Sequence, residues 1–292
     1  MTNRWVLGAR PKTLPAAVVP VALGTAAVGD LSEVIWWRAA AALLVALALQ
    51  LATNFVNDYA DGERGTDDDR VGPLRLVGSG LASAGEVKRA AAISFAVAGV
   101  AGGALTLAVG PELLAVGIAS MIAGWAYTGG PRPYGYLGLG EVFVFVFFGL
   151  VATIGSTYVQ TESLQDQGVN VRSTAAAVLA GCLAVALLVI NNLRDIPGDT
   201  VAGKQTLAVR MGDAATRRFY VALFGLAAVT VLVLAVDRPP AVLGLAGLLV
   251  AVPAIKSVLG GAAGADLIPV LGQTGRVQLV CGLLTAVGIA IG

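Results

Sequence analysis

Residues 174–199 read TAAAVLAGCLAVALLVINNLRDIPGD, and this stretch decides the fold. From Thr174 to Leu193 it carries no charge, which matches the roughly 20 apolar residues that a helix needs to cross a bilayer. It then ends in a short polar motif that contains two aspartates. The stretch therefore predicts a membrane-spanning helix with a charged site at one end.

The whole composition agrees with a membrane protein. Of the 292 residues, 57% are hydrophobic and only 13% are charged, and the mean hydropathy is +0.82. Soluble domains carry roughly 25% charged residues. Nine apolar stretches are bounded by charge, Pro or Gly, so we predict an all-α, polytopic bundle of about nine transmembrane helices. The predicted spans are 13–29, 38–56, 89–109, 112–129, 141–160, 174–193, 217–236, 240–258 and 275–292.

Basic residues predict the orientation of the bundle. If the N-terminus is cytoplasmic, every Lys and Arg falls on the cytoplasmic side except Arg38, Arg172 and Arg238. This asymmetry follows the positive-inside rule and predicts a C-terminus outside the cell.

The chain has no histidine, which excludes an imidazole base and His-ligated zinc. The net charge of +1 by itself says little, and we expect no nucleic-acid partner.

Two acidic motifs follow the second and the sixth predicted spans. Each contains Asn-x-x-x-Asp, as Asn54 with Asp58 and as Asn191 with Asp195, a spacing that puts both side chains on one helix face. Further aspartates follow three or four residues later, at positions 61 and 199. Carboxylates at a helix C-terminus oppose the helix dipole, and their oxygens suit Mg²⁺.

Four predicted crossings separate the motifs, so both open on the cytoplasmic side. The offset also predicts a single domain, 1–292, made of two pseudo-repeats, about 10–130 and 140–260, with a ninth helix at 275–292. We expect Pro197-Gly198 to unwind the second motif. The acids Glu63, Asp67, Asp68 and Asp69 are instead typical of a solvated loop.

Basic residues lie between the acids of both motifs. Arg64, Arg70 and Arg75 follow the first motif, and Arg194 and Lys204 accompany the second. Mg²⁺ can bridge carboxylates to phosphate oxygens while Arg and Lys neutralise the rest of a polyphosphate. A diphosphate held above a hydrophobic bundle implies a lipid tail.

At this point four stretches resemble one known family, the UbiA superfamily of intramembrane prenyltransferases. Within it, the chain looks like the 1,4-dihydroxy-2-naphthoate polyprenyltransferases. The stretches are Ala9-Arg-Pro-Lys-Thr-Leu-Pro15, Asn57-Asp-Tyr-Ala-Asp61, Tyr127-Thr-Gly-Gly-Pro-Arg-Pro-Tyr134 and Gly203-Lys-Gln-Thr-Leu207. The segment after the first motif, Leu74-Arg-Leu-Val-Gly-Ser-Gly80, departs from the Arg-Pro-Leu-Pro-Ser-Gly run of hydroxybenzoate enzymes, which argues against that acceptor.

The resemblance implies a Mg²⁺-dependent enzyme of menaquinone synthesis in a bacterial plasma membrane, with a cytoplasmic active site. Its substrates would be a polyprenyl diphosphate and 1,4-dihydroxy-2-naphthoate, and its products demethylmenaquinol, CO₂ and diphosphate. The implied metal ligands are Asn54, Asp58, Asp61, Asn191, Asp195 and Asp199. The implied catalytic residues are Asp58, Asp61, Asp195, Asp199 and Tyr127. The implied substrate-binding residues are Arg10, Lys12, Arg64, Arg132, Tyr134 and Lys204.

Three alternatives stay open at this point. One is another UbiA-type aromatic prenyltransferase. CDP-alcohol phosphotransferases share the start of the first motif, but Gly65-Thr66 replaces their Ala-Arg and the second half of their motif is missing. A secondary transporter would have internal repeats, but its site should lie near the middle of the bilayer rather than at one end.

Overall fold

The computed structural model describes residues 3–65, 72–163, 165 and 167–292. Asp67, Asp68, Asp69 and Arg70 therefore lie outside the described residues. Within the described ranges all regular secondary structure is helical, as the apolar periodicity predicts. The α-helices are α1 (Arg4–Ala9), α2 (Pro15–Ala26), α3 (Trp36–Glu63), α4 (Ala84–Ala108), α5 (Glu112–Ala126), α6 (Gly140–Val144), α7 (Ala152–Thr161), α8 (Gln167–Val201), α9 (Leu207–Met211), α10 (Asp213–Asp237), α11 (Leu243–Leu249), α12 (Val252–Leu259) and α13 (Leu267–Ile291).

Short 3₁₀ and π segments join several of these helices. A π-helical stretch, Phe145–Val151, makes α6 and α7 one continuous rod. The 3₁₀ segments are Pro11–Thr13, Leu31–Glu33, Tyr134–Leu137, Pro239–Val242 and Gly264–Asp266.

Each predicted span coincides with helix, but six are long and apolar enough to cross a bilayer by themselves. In the described part of the chain these six are Trp36–Glu63, Ala84–Ala108, Gly140–Thr161, Val169–Val201, Asp213–Asp237 and Gly264–Ile291. A seventh is formed if Pro239–Leu249 and Val252–Leu259, which meet at 45°, count as one span. The helices at the first and fourth predicted spans, α2 and α5, have only 12 and 15 residues.

One prediction about the second motif is wrong. Residues Pro197-Gly198 do not unwind it, because α8 continues through both residues to Val201. A proline inside a helix removes one backbone donor and commonly bends the helix without ending it. The aspartates of the second motif therefore sit on a continuous helix.

The central helix is α8, which is apolar on all sides and is mostly buried. It packs with α2, α10 and α13 in one large core that contains Leu183, Ile190 and Tyr220. By contrast, α4 leaves Ile93, Val100 and Leu107 exposed. Large exposed apolar side chains on a helix of this length fit contact with lipid. The chain is therefore an integral membrane protein with a largely buried central helix, and helices such as α4 present apolar side chains to lipid.

Glycines let several helices approach closely, as is common between membrane helices. A Cβ on Gly149 would lie 2.7 Å from the Cα of Gly181, so the π-helical stretch and α8 touch through their backbones. A Cβ on Gly24 would collide with the carbonyl oxygen of Thr153, which joins α2 to α7. These contacts fix the rod of α6 and α7 against the core.

The three arginines predicted for the outer side lie together at one end of the bundle. Arg172 donates to the carbonyl of Ala27 at 3.0 Å and to Asp237 at 2.9 Å. Arg38 donates to the carbonyl of Val159 and to Glu162. Arg238 binds the carbonyl of Gly29. These cations bind backbone carbonyls and acids at this end and connect α2, α3, α7, α8 and α10.

Candidate active site

A cavity of about 1330 Å³ opens at the other end of the bundle. On α3 it is lined by residues that recur every three or four positions, from Ala42 to Asp61 and Arg64, so one face of the helix forms its wall. At a rise of 1.5 Å per residue, the distance from Ala42 to Asp61 is ~28 Å. The cavity is charged at the Asp61 end and lined by small and apolar residues at the Ala42 end.

Asp61 lies at the charged end of this cavity and is almost fully buried. Its Oδ1 accepts from the hydroxyl of Tyr136 at 2.6 Å, and its Oδ2 lies 3.1 Å from Nζ of Lys204. Burial opposes the charge of Lys204, but Asp61, Tyr136 and Asp199 outweigh it, so the pKa of Lys204 is raised. Lys204 is therefore cationic at neutral pH.

The second motif lines the same cavity from the end of α8. Asn191, Asp195 and Asp199 all face it. The Asp195 carboxylate binds Arg194 through two hydrogen bonds, at 2.7 and 2.8 Å, and the guanidinium is buried. The structure therefore brings residues of both motifs together at one end of the bundle, as the sequence predicts.

Asp58 differs from its predicted position as a metal ligand. It is fully buried and does not line the cavity. Its Oδ2 accepts from the backbone N–H of Leu76 at 2.9 Å, and its Oδ1 accepts from that of Val77 at 3.0 Å. Both carboxylate oxygens therefore accept hydrogen bonds from the backbone of the loop that follows α3.

Asn54 lines the cavity, but its amide binds protein groups. Its Nδ2 donates to the carbonyl of Ala9 at 3.0 Å and to Thr13 at 3.2 Å, and its Oδ1 accepts from Gln50. This side chain connects α3 to the N-terminal segment. Its predicted role as a metal ligand is not supported by this geometry.

The residue that the sequence reasoning missed is Asn57. It lines the cavity, and its Oδ1 accepts from the Thr128 hydroxyl at 2.6 Å. Asn57 and Asp61 also have the Asn-x-x-x-Asp spacing, so the signal was present in the sequence. The structure favours this pair over Asn54 and Asp58, because Asn57 and Asp61 share the cavity-facing side of α3.

The predicted substrate-binding cations divide into two groups. Arg10, Lys12 and Arg64 line the cavity, as Lys204 does. Arg64 donates to the carbonyls of Thr128 and Gly130 at 2.5 and 2.6 Å. Arg10 donates to the carbonyl of Asn54 at 3.1 Å.

Arg132 is exposed and is not among the residues that line the cavity, so the geometry gives no support to its predicted role in substrate binding. It lies between Pro131 and Pro133.

Aromatic side chains form another wall of the cavity. The ring of Tyr134 stacks on Phe143 with 3.9 Å between centroids and lies 5.5 Å from Tyr127. The Tyr134 hydroxyl donates to the carbonyl of Ala123 at 2.8 Å, which fixes the ring. Phe147, in the π-helical stretch, continues the wall. Such π segments occur often at functional sites, because they re-aim side chains.

Carboxylate and amide oxygens from both motifs face one space, and such donors suit Mg²⁺. Among the described residues, no three acidic or thiol side chains converge on one point. Mg²⁺ commonly binds one or two carboxylates and completes its coordination with substrate phosphates and water. The donors Asn57, Asp61, Asn191, Asp195 and Asp199 fit that mode, with Lys204 and Arg194 beside them to neutralise phosphate.

The model of the UbiA prenyltransferase family matches residues 17–264. The chain belongs to this family. Its resemblance to UbiA proteins is thereby confirmed, and the matched range includes both aspartate motifs and most of the residues that line the cavity between them.

Relatives of this UbiA-family protein cover most or nearly all of its length. It is 49% identical over 289 residues to the 1,4-dihydroxy-2-naphthoate octaprenyltransferase of Mycobacterium tuberculosis, covering 99% of this chain and 97% of the relative. It is 40% identical over 236 residues to the Escherichia coli protein of the same name, covering 76% and 73%.

Solved structures agree on the fold. A UbiA homolog from Archaeoglobus fulgidus bound to GPP and Mg²⁺ superposes with a TM-score of 0.60 at 17% identity, covering 98% of this chain and 100% of that one. An apo UbiA homolog from Aeropyrum pernix gives 0.65 at 18% identity, covering 92% and 97%. At these identities the likeness establishes the helical architecture.

Proposed function

We propose that this protein transfers a polyprenyl group from a polyprenyl diphosphate to 1,4-dihydroxy-2-naphthoate, releasing diphosphate and CO₂ and giving demethylmenaquinol. One observation carries the proposal: the charged end of the cavity, with both aspartate motifs, is continuous with an apolar end, and the cavity wall on α3 is ~28 Å long from Asp61 to Ala42 by helix rise. A diphosphate with a long hydrocarbon tail has the same division into charged and apolar parts. The name shared by the mycobacterial and enterobacterial relatives supports the acceptor.

The diphosphate would lie at the charged end, among Arg64, Lys204 and the two motifs. Asn57, Asp61, Asn191, Asp195 and Asp199 would hold Mg²⁺, which when bound makes diphosphate a better leaving group. Lys204 and Arg194 already lie on the carboxylates of Asp61 and Asp195. They would therefore be in place to neutralise the phosphate oxygens.

The bond changes need no strong base, which agrees with a chain without histidine. The allylic C–O bond breaks, and its electron pair leaves with the diphosphate. The electron-rich ring attacks the allylic cation through the carbon that bears the carboxylate. The bond from that carbon to the carboxylate then breaks, returning its electron pair to the ring as CO₂ leaves.

The wall formed by Tyr127, Tyr134, Phe143 and Phe147 would protect the cation. Aromatic faces attract positive charge, and an apolar wall excludes water that would capture the cation. Tyr127 would orient a hydroxyl or phosphate oxygen. Among the cations, Lys12 and Arg10 lie in the cavity and would bind the acceptor carboxylate.

The proposal also covers the number of membrane crossings and the orientation of the bundle. The helices α2 and α5 would cross with the six long spans and the bent pair, giving nine crossings in one domain of two pseudo-repeats. The charged end of the cavity would face the cytoplasm of a bacterial cell, with the C-terminus outside. The basic residues outside the cluster of Arg38, Arg172 and Arg238 support this orientation.

The test is a transfer assay with membranes that contain the protein. Labelled polyprenyl diphosphate and Mg²⁺ are supplied with either 1,4-dihydroxy-2-naphthoate or 4-hydroxybenzoate, and the lipid product is identified by mass. We expect decarboxylated product from the naphthoate alone. Product from 4-hydroxybenzoate alone would overturn the assignment of the naphthoate as acceptor and favour another aromatic prenyltransferase. The Asp61→Asn variant serves as the inactive control.

A further inference from the structure

The loop after the first motif, residues 72–82, lies beside the charged end of the cavity. Pro73, Leu74 and Arg75 line that end. The loop is closed by its own hydrogen bonds, from the N–H of Ala82 to the carbonyl of Leu76 and from the N–H of Ser79 to the carbonyl of Arg75, both at 3.0 Å. It is therefore a compact unit that places one arginine at the site.

Two contacts attach this loop to α3. The first is the Asp58 carboxylate, whose two oxygens accept from the N–H groups of Leu76 and Val77. The second is packing: Leu76 is fully buried in a small core with Phe55, and a Cβ on Gly8 would lie 2.6 Å from its Cδ1. Both contacts involve the residues that directly follow Arg75.

We infer that Asp58 is a positioning residue, whose carboxylate holds residues 75–77 so that Arg75 faces the site of the transferred diphosphate. The place of the diphosphate rests on the proposed function, whereas the attachment of the loop rests on the two hydrogen bonds alone. Asp58 thus acts on substrate through the backbone of Leu76 and Val77, and Asp61, three residues later, faces the cavity directly.

The charge of Asp58 suits this task. A carboxylate offers acceptors to both N–H groups, and hydrogen bonds to a charged acceptor are the strong ones. An asparagine of the same shape offers one oxygen and turns an NH₂ group toward the other N–H. One of the two backbone donors would then lose its partner, so Asp58→Asn should loosen the loop without changing its packing volume.

Hydrogen exchange measured by mass spectrometry tests the attachment without metal or substrate. In Asp58→Asn we expect the peptide that contains Leu76 and Val77 to exchange about tenfold faster, as expected for a local opening made easier by one lost hydrogen bond. Asp61→Asn should leave this peptide unchanged. Unchanged exchange in Asp58→Asn would overturn the inference.

A second variant loosens the loop while keeping Asp58. A Cβ on Gly62 would lie 2.5 Å from Cγ1 of Val77, so Gly62→Ala should push Val77 away from the helix. Alanine suits a helix better than glycine, and α3 itself should be unharmed. Faster exchange in the loop is expected here as well, which keeps the test decisive if Asp58→Asn does not fold.

Kinetics test the link to Arg75. Asp58→Asn and Gly62→Ala should raise the KM for polyprenyl diphosphate about tenfold, a loss of one charge-assisted contact. The Mg²⁺ concentration for half-maximal rate, measured at saturating diphosphate substrate, should stay as in the wild type. A marked rise in that concentration would show that Asp58 binds metal, and would overturn the inference.

A double variant completes the test. If Asp58 acts through Arg75, Arg75→Met should raise the same KM, and Arg75→Met with Asp58→Asn should be no worse than the worse single variant. Effects that multiply would mean that the two residues act separately, against the inference. If the wild type transfers no prenyl group, the proposed function fails, and the exchange experiment still decides whether Asp58 holds the loop.

Discussion

Nζ of Lys204 lies 3.1 Å from Oδ2 of Asp61, although 143 residues separate them in the chain. This ion pair joins the loop after α8 to the end of α3, so it brings the regions of the two aspartate motifs together. The ammonium also lies 4.6 Å from the centroid of the Tyr136 ring, whose hydroxyl binds the same carboxylate. Three side chains from three segments thus hold one another at the charged end of the cavity.

Replacing Lys204 should weaken binding of the diphosphate substrate. We expect Lys204→Met to raise the KM for polyprenyl diphosphate by about tenfold to a hundredfold, or ~1.4–2.8 kcal/mol, with little change in the KM for the naphthoate. Steady-state kinetics with each substrate varied in turn provide the measurement. Arg132→Met, which removes an exposed cation outside the cavity, is the matched control and should behave as wild type.

The same ion pair predicts that the stability contributed by Lys204 does not change with pH around neutrality. Because the pKa of Lys204 is raised in the folded protein, its contribution is complete below the ordinary lysine value of 10.5 and is lost as pH rises through the higher folded value. The stability difference between wild type and Lys204→Met should therefore be constant from pH 6 to about 9. Thermal melts across that range measure it, and a difference that disappears near neutral pH would contradict the raised pKa.

Asp61 and Asp195 should be essential for transfer. We expect Asp61→Asn and Asp195→Asn each to lower kcat/KM by about a hundredfold or more, because each removes a charge placed to hold Mg²⁺ against the diphosphate. EDTA should abolish activity of the wild type, and added Mg²⁺ should restore it. The variants should still be found in membranes at wild-type amounts; full activity in either would remove that residue from the site.

The apolar end of the cavity should limit the length of the prenyl chain. Gly103 lines it, and a Cβ there would meet no atom within 4 Å. Gly103→Phe should place a ring in the passage and shift the preference toward shorter donors, with a loss of about tenfold or more for the longest ones, since overpacking is costly. Competition between donors of different length measures the shift. Val100→Phe, on the exposed face of the same helix, is the control and should leave the preference unchanged.

Close backbone contact between the π-helical stretch and α8 should be needed for stability. A Cβ on Gly149 would also lie 2.9 Å from the carbonyl oxygen of Ala177, so backbone would have to move. We expect Gly149→Ala to lower thermal stability by a few kcal/mol through overpacking. Gly225→Ala, at an exposed helical position with no atom within 4 Å, should be neutral or slightly stabilising. Equal melting of the two variants would contradict this packing.

The helices could be predicted from the sequence, because a long apolar run has few alternatives to a membrane-spanning helix. The breaks inside these runs could not be predicted. Nothing in the hydropathy of 240–258 marks the 45° bend, which occurs where Pro253 occupies the start of α12. Likewise, Pro197 predicts a break in α8, but the helix continues through it to Val201. A proline can bend a helix without ending it, so its presence alone does not decide whether the helix stops.

The register of the first motif was not decided by spacing. Asn54 with Asp58 and Asn57 with Asp61 both have four-residue spacing, so periodicity alone could not tell which pair faces the cavity. What decides it is the loop at 72–82, whose backbone donors occupy Asp58. Such a contact depends on distant parts of the chain and carries no local signal. The place of the cations at the cavity was easier to predict. They belong to motifs that the fold brings together, and they are Arg10, Lys12, Arg64 and Lys204.

The orientation in the membrane can be tested with single cysteines. Both native cysteines, Cys182 and Cys281, are fully buried, so the wild type should not react with a membrane-impermeant maleimide and serves as the background. Ser79 is exposed beside the charged end of the cavity, and Ser32 is exposed at the opposite end. The positive-inside rule places the first end in the cytoplasm.

In intact cells we therefore expect Ser32→Cys to be labelled and Ser79→Cys to be protected until the membrane is opened. Both substitutions are conservative and lie at exposed positions, so they should leave folding intact. The reverse pattern would place the diphosphate site outside the cell, where a cytoplasmic substrate could not reach it, and would contradict the proposed orientation without affecting the fold.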